Sequence, residues 1–290
     1  MTRSASVEEA VRSAAAELRA AGIPPDEAAL DARLLAQHVL AWDAGRFLAS
    51  RREPAPATFV ERYQTIVARR SRREPLAYIV GVKDFWKLPF EVSPDVLIPR
   101  PETELLVELA LRLMPGRGEA PHVADSCTGS GCVAVALAHE RPDIQVTATD
   151  ISPAALSIAR RNAARHGVTD RIRFETADLL DGLDAPLFDL VVSNPPYVAE
   201  RDRATLQPEI REFEPPLALF GGDDGLSVVR RLVTQSASRL KGGGHLIVEL
   251  GADQARAFER LISSAPQLRM VDVARDLQGI PRAGVARRDS

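Results

Sequence analysis

The sequence predicts an α/β protein: a largely parallel sheet covered by helices on both faces, preceded by a small helical domain and joined to it by a short β-hairpin. Three observations carry this. Strand-like and helix-like segments alternate from His122 onward, which is the pattern of a parallel sheet with helical crossovers. Up to about Arg73 the chain is instead rich in Ala, Leu, Glu and Arg, with apolar residues at helical spacing. Between these regions the aromatic and β-branched content rises. The expected division is residues 1–73 as a helical domain, 74–96 as the hairpin linker and 97–290 as the sheet domain.

Each element follows from local pattern. Ala28, Leu30, Leu34, Leu35 and Val39 recur at helical spacing, and Gly22-Ile23-Pro24-Pro25 and Glu53-Pro54-Ala55-Pro56 interrupt the helices. From Tyr78 to Val92, Phe85, Trp86 and Phe90 surround Leu88-Pro89, which reads as the hairpin. A helix is expected through Glu102 to Met114, then a Pro/Gly-rich loop from Pro115 to Pro121. The stretch His122 to Ala138 reads as strand, glycine turn and Ala/Val/Leu helix. Further strands are expected at residues 145–149, 171–176, 188–193 and 245–250, with helices at 154–166, 225–240 and 253–264. Two closely spaced last strands, near 269–275 and 284–288, suggest a hairpin on the sheet edge. No internal repeat or low-complexity segment is evident.

Composition excludes several classes. The chain has 290 residues and 45% hydrophobic content, enough for a substantial core. No apolar run reaches membrane-spanning length, and Met1 to Glu9 lacks a secretory apolar core, so a cytoplasmic, soluble protein is expected. The two cysteines, Cys127 and Cys132, both lie in the glycine turn, which excludes a disulfide framework, and the five histidines are scattered without ligand spacing. No metal is expected, and Cys132 reads as a small packing residue. Net charge is −3, yet residues 1–73 hold 12 Lys and Arg against 9 Asp and Glu, leaving 25 against 31 for the rest. Arg51, Arg52, Arg62, Arg69, Arg70, Arg72 and Arg73 concentrate the excess. They read either as a solvated helix face or as a docking surface for an acidic protein or RNA.

Two segments carry chemistry. Asn194-Pro195-Pro196-Tyr197 follows the apolar run Phe188 to Ser193. An Asn side-chain carbonyl and the backbone carbonyl of Pro195 can each accept one N–H bond, and Tyr197 offers a flat face, so the tetrapeptide reads as a clamp for a planar NH2 group. Pro195 and Pro196 stiffen the loop. Upstream, Cys127-Thr128-Gly129-Ser130-Gly131 forms a turn whose glycines permit unusual dihedrals and close backbone approach to a ligand. Asp150 ends the next strand about twenty residues beyond the glycines, where a carboxylate can bind both hydroxyls of a ribose. A nucleoside-containing cofactor across the strand ends is implied. The glycine turn alone fits a nicotinamide cofactor as well as S-adenosylmethionine; the NH2 clamp favours the methyl donor.

With these segments in place, the chain resembles the HemK/PrmC-type glutamine N5-methyltransferases that modify class 1 peptide chain release factors. The resemblance covers nearly the whole chain. It rests on Glu74-Pro75-Leu76-Ala77-Tyr78-Ile79-Val80-Gly81, Leu97-Ile98-Pro99-Arg100-Pro101-Glu102-Thr103-Glu104, the Thr128 to Gly131 turn, the Asn194 to Tyr197 clamp, and Phe213-Glu214-Pro215-Pro216-Leu217-Ala218-Leu219. One departure is Cys127, where many release-factor enzymes have Gly. Cys-Thr-Gly-Ser-Gly-Cys looks more like the sister family that methylates a glutamine of a large-subunit ribosomal protein, whereas Arg100 to Glu104 points to the release-factor branch.

The resemblance implies a Rossmann-like, seven-stranded mixed sheet and transfer of a methyl group from S-adenosylmethionine, leaving S-adenosylhomocysteine, to the glutamine of the Gly-Gly-Gln motif. It implies that Cys127, Thr128, Gly129, Ser130 and Gly131 contact the amino-acid part of the donor, that Asp150 binds ribose and that Leu179, beside Asp178, flanks adenine. Asn194, at the donor boundary, Pro195, Pro196 and Tyr197 hold the substrate glutamine. Arg100, Glu102 and Glu104 resemble the segment lining the donor pocket, or cap a helix with ordinary surface charge. A monomer acting on release factors is expected, with the helical domain docking the partner. The alternatives are the ribosomal protein as substrate, a nucleic-acid amino group on a flipped base, and a non-enzymatic binding module. The acidic sheet domain, without an aromatic and basic array, weighs against nucleic acid.

Overall fold

The computed structural model describes residues 6–290. Met1 to Ala5, part of the stretch read above for a secretory signal, lie outside the described residues. The chain divides into two units, Met1–Gly81 with Gln207–Phe213, and Val82–Leu206 with Glu214–Ser290.

The first unit is helical: α1 (Val7–Ala20), α2 (Pro25–Leu40), α3 (Ala44–Ser50), α4 (Phe59–Ser71) and α5 (Leu76–Val80). Ser6 and Glu9 form a reciprocal capping box at the start of α1. Pro25 occupies the first turn of α2, and Asp43 caps α3 by accepting from the Arg46 N–H at 2.7 Å. Leu18, Leu35, Phe59, Tyr63, Val67 and Ile79 fill the core. The buried Tyr63 hydroxyl donates to the Ala32 carbonyl at 2.7 Å.

One expectation changes here. Residues 76–80 are helical rather than the start of the hairpin, because Pro75 opens the turn and Gly81, at φ 79°, closes it in the left-handed region. The helical unit accordingly runs past Arg73 to Gly81 and takes in Gln207–Phe213. The arginine run, for its part, is largely neutralised within the unit. Arg51 and Arg52 face Glu8, and Arg69 pairs with Glu74. Buried Arg70 donates to Asp31 at 2.7 Å, Glu27 at 2.7 Å and Glu209 at 3.0 Å, and Arg73 reaches Glu209 at 2.7 Å. A guanidinium supplies five donors in a planar fork, which suits it to gathering three carboxylates.

The second unit begins with the hairpin β1 (Val82–Phe85) and β2 (Leu88–Glu91), whose two-residue turn places Trp86 and Lys87 at φ 51° and 60°. Then follow α6 (Glu104–Leu113), β3 (His122–Ser126), α7 (Cys132–Glu140), β4 (Gln145–Asp150), α8 (Pro153–Arg165), β5 (Ile172–Thr176) and β6 (Phe188–Ser193). After α9 (Pro208–Phe213), which belongs to the helical unit, come α10 (Pro216–Leu219), α11 (Ser227–Arg239), β7 (Leu240–Glu249), α12 (Ala255–Ser263), β8 (Leu268–Arg275) and β9 (Pro281–Arg288). Strand β7 starts five residues earlier than expected, running through Gly242-Gly243-Gly244.

The seven strands are ordered β5-β4-β3-β6-β7-β9-β8. The first five are mutually parallel and β9 runs antiparallel to both of its neighbours, β7 and β8, so the mixed sheet and its terminal hairpin are as expected. Side chains alternate between faces with period two. Leu190 and Val192 of β6 join the core with Leu106 and Val135, and Val191 joins the core with Leu232 and Phe258. Phe258 lies so close to the sheet that a Cβ on Gly284 would meet its ring at 2.3 Å. Between β3 and β6 the strand order reverses direction, and the loops leaving their carboxyl ends part to open a crevice.

Candidate active site

A cleft opens at that point, lined from the second unit alone. The glycine turn supplies Cys127, Thr128, Gly129 and Ser130; the end of β4 supplies Asp150 and Ile151; the loop after β5 supplies Asp178 and Leu179; the loop after β6 supplies Asn194 and Pro196. The structure thus brings together eight of the eleven residues singled out from sequence. Gly131, Pro195 and Tyr197 are not among the lining residues. At Gly131 a Cβ would press against Ala159 of α8 at 3.0 Å, so this glycine serves helix packing at a φ of 79°.

The turn is held by short-range bonds. Buried Asp125 accepts from the Thr128 hydroxyl at 2.6 Å and from the Ala134 N–H at 3.0 Å, and burial pushes its carboxyl up to about 7. Asp150 accepts from the Gly129 N–H at 2.9 Å through one oxygen and from the Ser152 N–H at 2.9 Å through the other; burial raises its pKa too. An ionised carboxylate has about four acceptor sites, so two remain for ligand hydroxyls. Ile151 and Leu179 add apolar wall beside it. Two lining residues other than glycine sit in the left-handed region, Cys127 at φ 59° and Leu179 at φ 60°. Such strain is stored where the surroundings impose it. For Leu179 the imposing bond is visible, its carbonyl accepting from the Thr149 hydroxyl at 2.8 Å. Burial pushes both thiols, Cys127 and Cys132, up to about 12, so they are neutral packing groups at physiological pH.

The clamp loop is held by distant side chains. Asn194 donates from Nδ2 to the Thr103 hydroxyl at 3.1 Å; Thr103 donates to Glu249 Oε2 at 2.6 Å; the Tyr197 hydroxyl donates to Glu249 Oε1 at 3.2 Å. Gln254 donates to the Tyr197 carbonyl at 2.9 Å. Backbone packs on backbone as well: a Cβ on Gly221 would meet the Pro196 carbonyl oxygen at 2.5 Å, and one on Gly225 the Tyr197 carbonyl oxygen at 2.2 Å. Arg100 pairs with buried Glu214, which also accepts from the Ile98 N–H at 3.3 Å, so this arginine fixes the segment bordering the cleft. Glu102 and Glu104 do not line the cleft. Glu104 accepts from the Trp86 N–H at 2.7 Å, while Glu102 lies 3.9 Å from Arg282.

Thr103, Glu249, Gln254, Gly221 and Gly225 escaped the sequence reading. Only the Gly221-Gly222-Asp223-Asp224-Gly225 cluster carried a usable signal, since such density marks a turn made where backbone approaches backbone.

Sheet order, glycine turn and a cleft at the switch point together define a Rossmann-like methyltransferase. Two family models match the chain, the PrmC N-terminal domain over residues 9–81 and the methyltransferase small domain over residues 102–211. A release factor glutamine methyltransferase of Cereibacter sphaeroides is 42% identical over 96% of this chain and 97% of its own length. One of Bradyrhizobium diazoefficiens is 42% identical over 98% and 95%. Among solved structures, a methyltransferase from Pyrococcus furiosus shares the fold at a TM-score of 0.55 and 17% identity, over 77% of this chain and 99% of that one. The chain belongs to the release factor glutamine methyltransferase family. No helix among the described residues is long and apolar enough to cross a membrane.

Proposed function

We propose that this enzyme methylates the side-chain amide nitrogen, N5, of the glutamine in the Gly-Gly-Gln motif of class 1 peptide chain release factors, using S-adenosylmethionine. The observation that carries the reading is the Asn194 side chain at the cleft. Its Nδ2 donates one N–H to Thr103, and Oδ1 has no protein donor among the described residues. A primary amide needs that acceptor.

The residues on the cleft wall suit the donor. Asp150 keeps two acceptor sites for a ribose diol, Gly129 exposes backbone at a φ of 55° with nothing within 4 Å of its Cβ position, and Leu179 and Ile151 flank a planar base. When bound, the donor supplies an electrophilic methyl group and a sulfur that accepts the electron pair of the broken carbon–sulfur bond.

The chain's own task is orientation. An amide nitrogen is a poor nucleophile because its lone pair is delocalised, so it has to be held in line with the methyl group at roughly 3 Å. Asn194 Oδ1 and the Pro195 carbonyl each accept one amide N–H. Both place partial negative charge beside a nitrogen that turns positive as its bond to carbon forms, which favours the transition state over the ground state. The resulting N-methyl amide cation is strongly acidic and releases its proton to water, so no side chain is given the role of base. Tyr197 keeps its hydroxyl on Glu249, which anchors the loop that carries Asn194 and Pro195.

Incubation of enzyme and donor with folded release factor, a Gly-Gly-Gln peptide, a large-subunit ribosomal protein and an oligonucleotide, followed by tandem mass spectrometry, tests this. The expected result is modification of the release-factor glutamine far faster than of the peptide. A free peptide surrenders conformational freedom on entering the clamp without contacts elsewhere on the factor to offset it. Methylation of the ribosomal protein alone, or of the oligonucleotide, would overturn the assignment.

A further inference from the structure

The clamp works only if the Asn194 amide is turned with its oxygen toward the incoming NH2 group. A flipped amide would present its own NH2 to the substrate's, donor against donor. Nothing in the Asn-Pro-Pro-Tyr loop itself makes that choice. It is made by a chain of bonds that starts at a buried carboxylate on the end of β7.

An ionised carboxylate only accepts hydrogen bonds. Glu249 is 2% exposed, and in its ionised form the Thr103 hydroxyl, 2.6 Å from Oε2, is the donor. A hydroxyl has a single proton, so once it is given to Glu249 only lone pairs remain for Asn194. The group 3.1 Å away on Asn194 is then its NH2, and Oδ1 takes the opposite direction. The second oxygen of Glu249 receives the Tyr197 hydroxyl at 3.2 Å, so one carboxylate orders both polar side chains of the clamp. Thr103 is 2% exposed at the start of α6. Bonds inside such a dry network polarise one another and leave no water to substitute for a missing member.

Building on the proposed glutamine methylation, we infer that Thr103 and Glu249 are positioning residues that fix the flip of the Asn194 amide and so make the enzyme selective for an NH2-bearing acceptor. Neither transfers a proton in the reaction. Their contribution is one of orientation, exerted through Asn194.

The test is a double-mutant cycle with a second, substrate-free reading. Thr103→Val keeps shape and removes the hydroxyl; Thr103→Ser keeps the hydroxyl. Thr103→Val is expected to lower kcat on release factor by roughly tenfold or more with donor Kd unchanged, while Thr103→Ser stays within about threefold of wild type. In an Asn194→Ala background Thr103→Val should have no further effect, because the residue through which it acts is gone. Glu249→Gln should lower kcat without moving donor Kd.

The substrate-free reading uses isotope-labelled enzyme. The side-chain NH2 signals of Asn194, assigned by their loss in Asn194→Ala, should include one proton protected from solvent exchange in wild type and Thr103→Ser and unprotected in Thr103→Val. Equal damage from Thr103→Val and Thr103→Ser, additive losses in the cycle, or unchanged amide protection in Thr103→Val would each overturn the inference. Wild-type enzyme inactive on release factor would instead overturn the substrate assignment, and the amide reading would still decide this one.

Discussion

The glycine turn and the clamp loop leave neighbouring strands of one sheet and line one cleft, but they are held in opposite ways. The turn is stabilised by partners close in sequence: Thr128 on Asp125 three residues away, Ala134 on Asp125 nine away, Gly129 on Asp150 twenty-one away. The clamp is held by Thr103 from 91 residues away, with Glu249 standing 146 residues from Thr103 and 52 from Tyr197. A ligand pocket built on a strand end and a helix start can be specified by one local stretch. A loop that has to present an amide oxygen in a single direction takes its orientation from elements brought together only by the completed sheet.

The largest expected effect separates the two regions. Asn194→Ala should lower methyl transfer by at least about a hundredfold, the scale of losing an orienting transition-state contact. Donor affinity measured by calorimetry should stay near wild type. If affinity falls in proportion to turnover, the clamp and the donor site are one unit and the comparison fails.

Asp150→Ala is the converse. Removing a charged acceptor for two hydroxyls should weaken donor binding by roughly 2–3 kcal/mol, while turnover at saturating donor largely recovers. Asp150 also satisfies the Gly129 and Ser152 N–H groups, so some of the loss reflects a loosened turn. Asp150→Asn, which keeps an acceptor oxygen, should lose less. Unchanged donor affinity in both variants would remove Asp150 from the donor site.

Acidity probes the clamp more gently. Burial pushes Glu249 up to about 7, against the bonds from Thr103 and Tyr197; Glu102 beside Thr103 raises it further and Arg282 of β9 lowers it. A carboxyl whose folded pKa lies above its unfolded value near 4.5 binds protons more tightly when folded. Stability it contributes is therefore present below about pH 4.5 and lost as pH rises through about 7. The ionised form is also the one that orients Asn194, so kcat should rise over the window in which stability falls. Glu249→Gln should flatten both trends and, at pH 8, be more stable than wild type in denaturant unfolding by more than about 1 kcal/mol. A wild-type stability that rises with pH over this window, or a Glu249→Gln profile parallel to wild type, would break the link.

These contrasts also explain what was legible in the sequence. The alternation from His122 onward, the glycine turn, Asp150 and the Asn194 to Tyr197 loop are written in contiguous residues, and the seven-stranded mixed sheet with its edge hairpin is found. Helix α5 was missed because Tyr78, Ile79 and Val80 are β-formers, and Pro75 and Gly81 override that preference over a single turn. Strand β7 was started late because three glycines normally punctuate a strand; here, close approach to the Asp189 and Phe188 carbonyls, at 3.0 and 3.1 Å from a Cβ on Gly244, calls for glycine. The arginine run could be read as a solvated face or a docking face because charge counts do not see that Glu8, Asp31 and Glu209 come to meet part of it. Thr103 stands inside the quoted Leu97 to Glu104 segment without a role being legible there, and Glu249 carries no local signature.

The smallest expected effect tests the turn's one irregularity. Cys127 sits at φ 59°, a conformation that disfavours side chains with a Cβ by about 1–2 kcal/mol, and its neutral thiol is half-buried at the cleft. Cys127→Gly relieves that strain, but a freed unfolded chain offsets about 0.5–1 kcal/mol of the gain. Stability should therefore hold or rise by no more than about 1 kcal/mol. Cys127→Val, β-branched at the same φ, should lower it. Thermal unfolding of the two variants beside wild type reads the difference, and donor calorimetry shows whether the turn keeps its shape. If valine is tolerated as well as glycine, the strained dihedral is not a property of the folded turn. If glycine alone weakens donor binding, the thiol contributes contact to the ligand, and the turn, like the clamp, depends on a side chain that its backbone geometry does not explain.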